Sequence, residues 1–439
     1  MSPHLFQFTT SMSQTPSIWP IHSIRHQFLG LRRLQDHQPV AFFDGPAGSQ
    51  VPECVVKSVA SYLRYTNCNR GAAFETAKWS DSILDGAHQA LADFVGADDP
   101  SCISFGANMT SLTLALSRAL GKLWKPGDEI IVTRLDHDAN VTPWVLAAQD
   151  AGVTVHHVEL NPDQATLDLD DFRKKLSDRT KLVAIGMASN ATGTVNPVRE
   201  MTRQAHDAGA LVFVDAVHYA PHGRISVKEL GCDFLACSAY KFFGPHVGVL
   251  WGRRELLESI RPYKLRPSPD YLPGKWMTGT QCHEGIAGAA AAVNYLASID
   301  ALLDDNSGHE DRSRSAKLDR VFSRIMEYER TLTLAFLSGL RDVPGIRIWG
   351  ITSVDQIDQR VPTFSMTFPN RTPRQAAEWL ARQGLYVWNG NHYALPYTES
   401  VGLEPGGTLR AGALHYNTIE EIQRLCEALK EMQTNPVVS

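Results

Sequence analysis

The chain is poor in paired cysteines, in charge of one sign and in long apolar runs. Its seven cysteines (Cys54, Cys68, Cys102, Cys232, Cys237, Cys282, Cys426) include no Cys-x-x-Cys pair among 439 residues. That argues against a zinc ribbon or a disulfide framework, implies no metal site, and suits a reducing compartment. Lys and Arg number 42 against 47 Asp and Glu, a net charge of -5, with no basic stripe. Nucleic acid is therefore not an expected partner. No apolar run in the sequence approaches the ~18 residues that suggest a membrane span, so no membrane partner is expected either. No internal repeat is visible. Residues 1–39 read as a flexible leader, rich in Ser, Gln and His, with Arg25, Arg32 and Arg33 near its end. This leader lacks the compact apolar core of a secretory signal. A cytoplasmic location follows as the expectation, with organelle import through the leader as the alternative.

What is present begins near Val40. A short strand over 41–44 runs into the Gly45-Pro46 turn, and a helix is expected over 52–65 from the spacing of Val55, Val56, Val59 and Leu63. A second helix is expected over 80–95. Apolar runs at 102–105, 130–132, 153–158, 182–187, 211–215, 234–237 and 247–251 then alternate with helical patterns at 110–123, 140–151 and 197–208. Such alternation predicts an α/β domain built on a seven-stranded, mainly parallel sheet. Residues 40–290 are assigned to this large domain and 291–439 to a smaller α+β C-terminal domain. The latter is expected to hold a long helical stretch (311–340), strands at 346–349, 364–368 and 385–388, and helices at 373–383 and 418–432.

Polar residues gather where apolar runs end. In an open parallel sheet, ligands bind outside the carboxyl ends of the strands. Asp215 closes one run; Ser238, Tyr240 and Lys241 close another. A lysine that can form a Schiff base and a carboxylate that can hold a pyridine nitrogen protonated are what pyridoxal phosphate (PLP) requires. The small residues around Ala107 and Asn108 could turn backbone N–H groups and a helix N-terminus toward a phosphate. His137 could stack on a pyridine ring, Asn190 could bond the ring oxygen or simply shape its turn, and His218 follows Asp215 by three residues. Ser238 and Tyr240 supply hydroxyls, and Thr280 a further one in a turn.

The ordered set GANMTS (106–111), DHDANVTPW (136–144), SNATGT (189–194), VDAVHYAPHG (214–223), SAYKFFGP (238–245), GTQ (279–281) and LRAGALHYNT (409–418) resembles the class V aminotransferase family of fold-type I PLP enzymes. Within it the set is most similar to the cysteine desulfurase-like branch, near selenocysteine lyases and isopenicillin N epimerases. The resemblance implies PLP as cofactor, an amino acid as substrate and a homodimer with shared active sites. It implies that Lys241 bonds the cofactor and shuttles the α-proton, Asp215 pairs with the ring nitrogen and His137 stacks on the ring. It implies that Ala107, Asn108, Ser238, Tyr240 and Thr280 hold the phosphate, with Thr280 reaching the neighbouring subunit's. Asn190 and His218 would bond near the phenolic oxygen. Arg410 would clamp the substrate carboxylate, which a guanidinium does bidentately. Phe43, Arg70, Tyr240, His392 and Tyr393 would wall the substrate side chain.

One departure shapes the functional expectation. Desulfurases of this kind present a loop cysteine, in a pattern like RTGHHCA, to take up sulfur. Here the corresponding stretch, 388–394, reads WNGNHYA, with Tyr393 at the thiol position and no cysteine between Cys282 and Cys426. The leading expectation is a C–S lyase that eliminates a β-substituent without an enzyme persulfide, His392 or Tyr393 serving as acid. The alternatives are an amino-acid epimerase or aminotransferase, and a weakly active scaffold or sulfur-trafficking partner. Cys68 and Cys282 are the thiols that could still approach the pocket.

Overall fold

The computed structural model describes residues 19–303 and 312–434. Its centre is a seven-stranded sheet: β1 (Ile103–Gly106), β2 (Glu129–Thr133), β3 (Thr154–Val158), β4 (Thr180–Gly186), β5 (Leu211–Asp215), β6 (Phe234–Ser238) and β7 (Gly248–Gly252). Their spatial order is β1-β7-β6-β5-β4-β2-β3. Every pairing is parallel except the two made by β7, which runs against both β6 and β1. All seven apolar runs picked out in the sequence are strands of this sheet.

Those strands carry uninterrupted apolar stretches because both faces of the sheet are covered. Successive side chains point to opposite faces. Val183, Ile185, Val212, Val214 and Leu235 enter one apolar core, whereas Leu182, Ala184, Phe213, Phe234 and Ala236 enter another on the far side. Each Val, Leu, Ile or Phe among them stabilises the fold by about 1.5–3 kcal/mol on full burial. Helices α1 (Glu53–Ser61), α2 (Glu75–Val95), α3 (Met109–Gly121), α4 (Thr142–Ala151) and α5 (Val198–Asp207) connect and cover the strands. Asn108 caps α3, its Oδ1 accepting the Ser111 N–H at 2.9 Å. That short polar cap starts the helix directly beyond β1.

Helix α6 (His283–Ser298) packs on α1 and α2, and α7 (Arg314–Arg341) leads into a second layer. There, an antiparallel sheet has the order β8-β9-β11-β10, formed by β8 (Arg347–Trp349), β9 (Thr363–Thr367), β10 (Trp388–Gly390) and β11 (Thr408–Gly412). Helices α8 (Pro373–Arg382) and α9 (Ile419–Thr434) cover it. A capping box starts α8, with Thr372 and Gln375 bonding each other's backbone and Pro373 in the first turn.

Four expectations need correction. Residues 19–39 are not a flexible leader: a short helix, Ile21–His26, and a 3-10 turn, Leu29–Arg32, bury Trp19, Ile24 and Phe28. Trp19 stacks on Tyr328, and Phe28 packs edge-on against Tyr295. Aromatic anchors at wide spacing carry no periodic signal, so the segment reads as irregular until its partners are known. Residues 1–18 of the expected leader lie outside the described residues. Next, the boundary drawn at 290 falls inside α6, and residues 41–42 pair in parallel with Leu385–Tyr386 rather than with the large sheet. The expected strand at 385–388 is thus two short pieces, only the second of which joins the small sheet. Finally, residues 283–302 are long and apolar enough to cross a bilayer, contrary to the reading of the apolar runs, and two-thirds of that stretch is buried within the protein. It is a core helix whose apolar surface meets other helices.

Candidate active site

The carboxyl ends of five strands open onto one pocket, lined by Asn108, Thr110, Asp136, His137, Asn190, Asp215, His218, Ser238, Tyr240 and Lys241 among others. Asp215 is the last residue of β5 and Ser238 the last of β6, with Lys241 one turn later. His137 follows β2, and Asn190 follows β4. These ten residues from five segments therefore meet because parallel strands end together, as the sheet-edge rule requires.

Backbone geometry shapes the phosphate end. Ser238 Oγ accepts the Met109 N–H at 3.0 Å, joining the end of β6 to the start of α3. A Cβ on Gly248 would overlap the main chain of Asn108, so glycine is what lets β7 lie this close to the helix start. Asn108 lines the pocket; Ala107 beside it is exposed and does not. Tyr240 stacks on His246 at 5.0 Å and lines the same end.

Burial governs the charges. Lys241 is pulled down to about 7, chiefly by burial and then by Arg410, while Asp215 and Asp44 oppose the shift. Its Nζ donates to the Pro46 carbonyl. Burial lifts Asp215 to about 6 although the Val217 N–H, 2.8 Å from Oδ1, and Lys241 favour its ionised form. His137 is lowered to about 4 by burial, with Lys241 and Arg410 adding to it. Its Nδ1 accepts the Ala139 N–H at 3.0 Å, which leaves the ring proton on Nε2. His218 is pushed well down by burial, and its Nε2 meets Thr363 Oγ1 at 3.2 Å.

The small sheet and its loop adjoin the pocket: Arg410, His392 and Tyr393 are not among its lining residues but contact Asn190 and His137, which are. Arg410, central in β11, sends Nη1 to the Asn190 main-chain oxygen at 2.8 Å, and burial brings it down to about 9. Asn190 Nδ2 donates to the His392 carbonyl at 2.8 Å. His392 Nε2 meets Thr408 Oγ1 at 3.0 Å, and burial holds that imidazole well below its ordinary range. Tyr393 stacks on His137, ring centroids 5.5 Å apart.

Some expected members lie elsewhere. Arg70 pairs with Asp81 and Asp85 and is absent from the pocket lining, because two carboxylates on α2 hold its guanidinium. Phe43 is fully buried against Phe336 in the small-domain core, since the 41–44 segment is stitched to that domain. Thr280 is exposed on a turn outside the pocket of its own chain. Two carboxylates that the sequence does not single out join the site. Asp136 lines the pocket and is lifted to about 7, by burial first and with Asp215 pushing the same way. Asp44, lifted to about 6 by burial, feels both Arg410 and Lys241. Asp136 begins the very motif that contains His137, and that adjacency was the available signal.

A buried lysine and a buried aspartate at neighbouring strand ends, under a histidine, on this sheet define a fold-type I PLP enzyme. The model of the Aminotransferase class-V family matches residues 41–321 and 316–425, and the chain belongs to that family. Among curated relatives, a cysteine desulfurase of Pectobacterium atrosepticum is 29% identical over 94% of this chain and 98% of its own length. The aminotransferase-like protein FGM3 of Gibberella zeae is 31% identical over 94% and 98%. A cysteine desulfurase of Synechococcus elongatus is 29% identical over 94% of this chain, which spans only 64% of that protein's length. Among solved structures, the apo cysteine desulfurase of Thermococcus onnurineus superimposes with a TM-score of 0.82 at 26% identity, covering 96% of this chain and 99% of that one. The CsdA cysteine desulfurase of Escherichia coli gives 0.80 at 26%, covering 95% and 99%.

PLP is the cofactor of this family, and the residues present suit it. Among the described residues Lys241 Nζ is buried with no carboxylate bonded to it, Asp215 retains a carboxyl at the strand end, and Asn190 Oδ1 is buried without a partner. When bound, PLP supplies an electron sink for negative charge at the amino acid's α-carbon.

Proposed function

We propose that this PLP-dependent enzyme is a cysteine desulfurase-like lyase that eliminates a sulfur-bearing β-substituent from an amino acid without forming an enzyme persulfide. Tyr393 supports this reading: it holds the sequence position where a sulfur-accepting thiol would be needed and stacks on His137 of the pocket lining, and no cysteine lines that pocket. Cys282 is exposed, Cys68 half-buried, and neither borders the site. Arg410 binds the substrate carboxylate. Lys241, easily deprotonated in its buried setting, takes the proton from Cα. The electron pair so released forms the Cα–Cβ double bond as the Cβ–S bond breaks, and sulfur leaves with the bonding pair as thiolate. His137, neutral, and Asp215 hold the cofactor's plane and nitrogen. For cysteine as substrate the products are sulfide and, after hydrolysis of the enamine, pyruvate and ammonia.

The same reading takes the enzyme as a cytoplasmic homodimer in which the exposed Thr280 serves the partner subunit's phosphate site. Intact Lys241, Asp215 and Arg410 argue against an inactive scaffold. The test is to incubate the holoenzyme with L-cysteine, cysteine S-conjugates and a panel of other amino acids, then quantify products by mass spectrometry. Keto acid, ammonia and released thiol or sulfide are expected. Alanine with protein-bound persulfide would establish a desulfurase instead; a D-isomer alone would establish an epimerase; and pyridoxamine phosphate with a keto acid, an aminotransferase.

A further inference from the structure

We propose that Tyr393 is a positioning residue whose ring clamps the His137 imidazole, and that residues 391–394 form a fixed strap across the pocket mouth. The inference goes beyond the lyase reading and does not depend on which reaction follows. It stands on contacts made by the strap from both sides. The Tyr393 ring lies nearly parallel to His137, at 11° and 5.5 Å. The Tyr393 carbonyl accepts the Asp138 N–H at 2.7 Å, the residue directly after His137. On the opposite side, the His392 carbonyl accepts Asn190 Nδ2 at 2.8 Å, and His392 Nε2 meets Thr408 Oγ1. Within the strap, Asn391 Oδ1 accepts the Tyr393 N–H at 3.1 Å and the Asn391 carbonyl accepts the Ala394 N–H at 2.8 Å.

Two consecutive non-glycine residues, His392 and Tyr393, each hold φ at 57°. Side chains avoid that region, and it persists where the surroundings over-determine it. Here five hydrogen bonds and the ring stack do so. The strained turn aims an aromatic ring, 73% exposed, at a histidine rather than into a core. The phenolic hydroxyl makes no hydrogen bond among the described residues, so the ring, not the hydroxyl, is the part that is held. His137 is thereby restrained at Nδ1 by the Ala139 N–H and on one face by Tyr393, which leaves the remaining ring surface to the pocket it lines. A thiol-bearing loop must reach toward substrate sulfur; this loop instead braces a cofactor-facing side chain.

The test uses the full chain carrying Tyr393→Phe, Tyr393→Trp or Tyr393→Ala. Histidine-selective NMR on the PLP-free protein reports the ring-current shift of His137, assigned with His137→Gln. Equilibrium titration gives PLP affinity. An upfield His137 signal is expected in wild type and in the Phe and Trp variants, with PLP affinity within about threefold. In the Ala variant the signal should move to the unshifted position and PLP affinity fall at least ~10-fold. An unshifted His137 signal in the wild type, wild-type values in Tyr393→Ala, or a Phe variant that behaves like Ala would each overturn the proposal. The wild-type spectrum alone decides the stacking even where a variant fails to fold. Product identity enters none of these readouts, so a failed lyase reading leaves them intact.

Discussion

Arg410 Nη1 donates to the main-chain oxygen of Asn190 at 2.8 Å, across a sequence gap of 220 residues. One residue is central in the small sheet and the other sits in the turn after β4 of the large sheet, so the bond fastens the two layers at the substrate end. Arg410 Nε is buried with no partner among the described residues, so the guanidinium keeps hydrogen-bonding capacity beyond its contact with Asn190. Replacing Arg410 by Lys keeps one charge but loses the planar fork. The expected outcome is a loss of about 2–5 kcal/mol in carboxylate binding, read as a rise in KM larger than the fall in kcat. Steady-state kinetics on the preferred substrate check it; an unchanged KM would remove the carboxylate role.

Lys241 gives the PLP-free protein a distinctive pH response. Its folded pKa is depressed, to about 7 from 10.5. Such a group contributes stability that is present above the unfolded value and lost as pH falls through the folded value. Between about pH 10 and pH 7 the folding stability of the PLP-free chain should therefore fall by about one proton's linkage per pH unit. Asp215 and Asp136 have raised folded values, about 6 and about 7, and their contribution runs the other way, present below 3.8 and lost as pH rises toward 6–7. Urea unfolding of Lys241→Met should lose the slope above pH 7 and keep the one below it. The same variant should also lose turnover, by on the order of 10²–10⁴-fold for the missing acid–base group alone.

Cys68 and Cys282 test the absence of a sulfur carrier. The Cys68 main-chain oxygen accepts bonds from Tyr62, Ser80 and His283, which anchors the loop through its backbone and not its thiol. Burial raises Cys282, the opposite of an activated thiolate. The double Cys68→Ser, Cys282→Ser variant should retain turnover within about twofold. A loss of more than tenfold with disappearance of any protein-bound persulfide would mean that one of these thiols carries sulfur.

Gly407 supports the strap from outside the pocket. Its φ is +65°, and an added Cβ would overlap the Gly390 carbonyl carbon and the Asn391 nitrogen. Gly407→Ala must push residues 390–391 away and drag Tyr393 with them. A strained αL alanine costs about 1–2 kcal/mol in the backbone alone. The variant should melt a few degrees lower and bind PLP more weakly, seen by thermal unfolding and cofactor titration. A variant of unchanged PLP affinity would show the strap to be decoupled from His137.

Much of the site was legible because chemistry and periodicity coincide at strand ends. Apolar runs that stop on Asp215, or on Ser238 followed by Lys241, announce both the sheet and its functional edge, since a fully buried parallel strand can turn polar only where the sheet ends. The resemblance then named Arg410, although the strand holding it, Thr408–Gly412, was not expected: five residues bounded by glycine carry too little pattern. Arg70 misled for a related reason. An arginine in a small, polar loop looks available, and nothing local reveals that Asp81 and Asp85, one turn apart on α2, engage it.

The sequence by itself determined the seven strands, the residues at their carboxyl ends and the missing thiol, because these follow from local alternation of apolar and polar residues and from residue identity. Only the tertiary structure decided that Trp19 and Phe28 anchor the N-terminal segment, that Asp136 joins Asp215 in the pocket, and that Tyr393 lies flat on His137. Each of those depends on desolvation or ring contact between segments far apart in the chain, and such energies exist only once the two layers have closed.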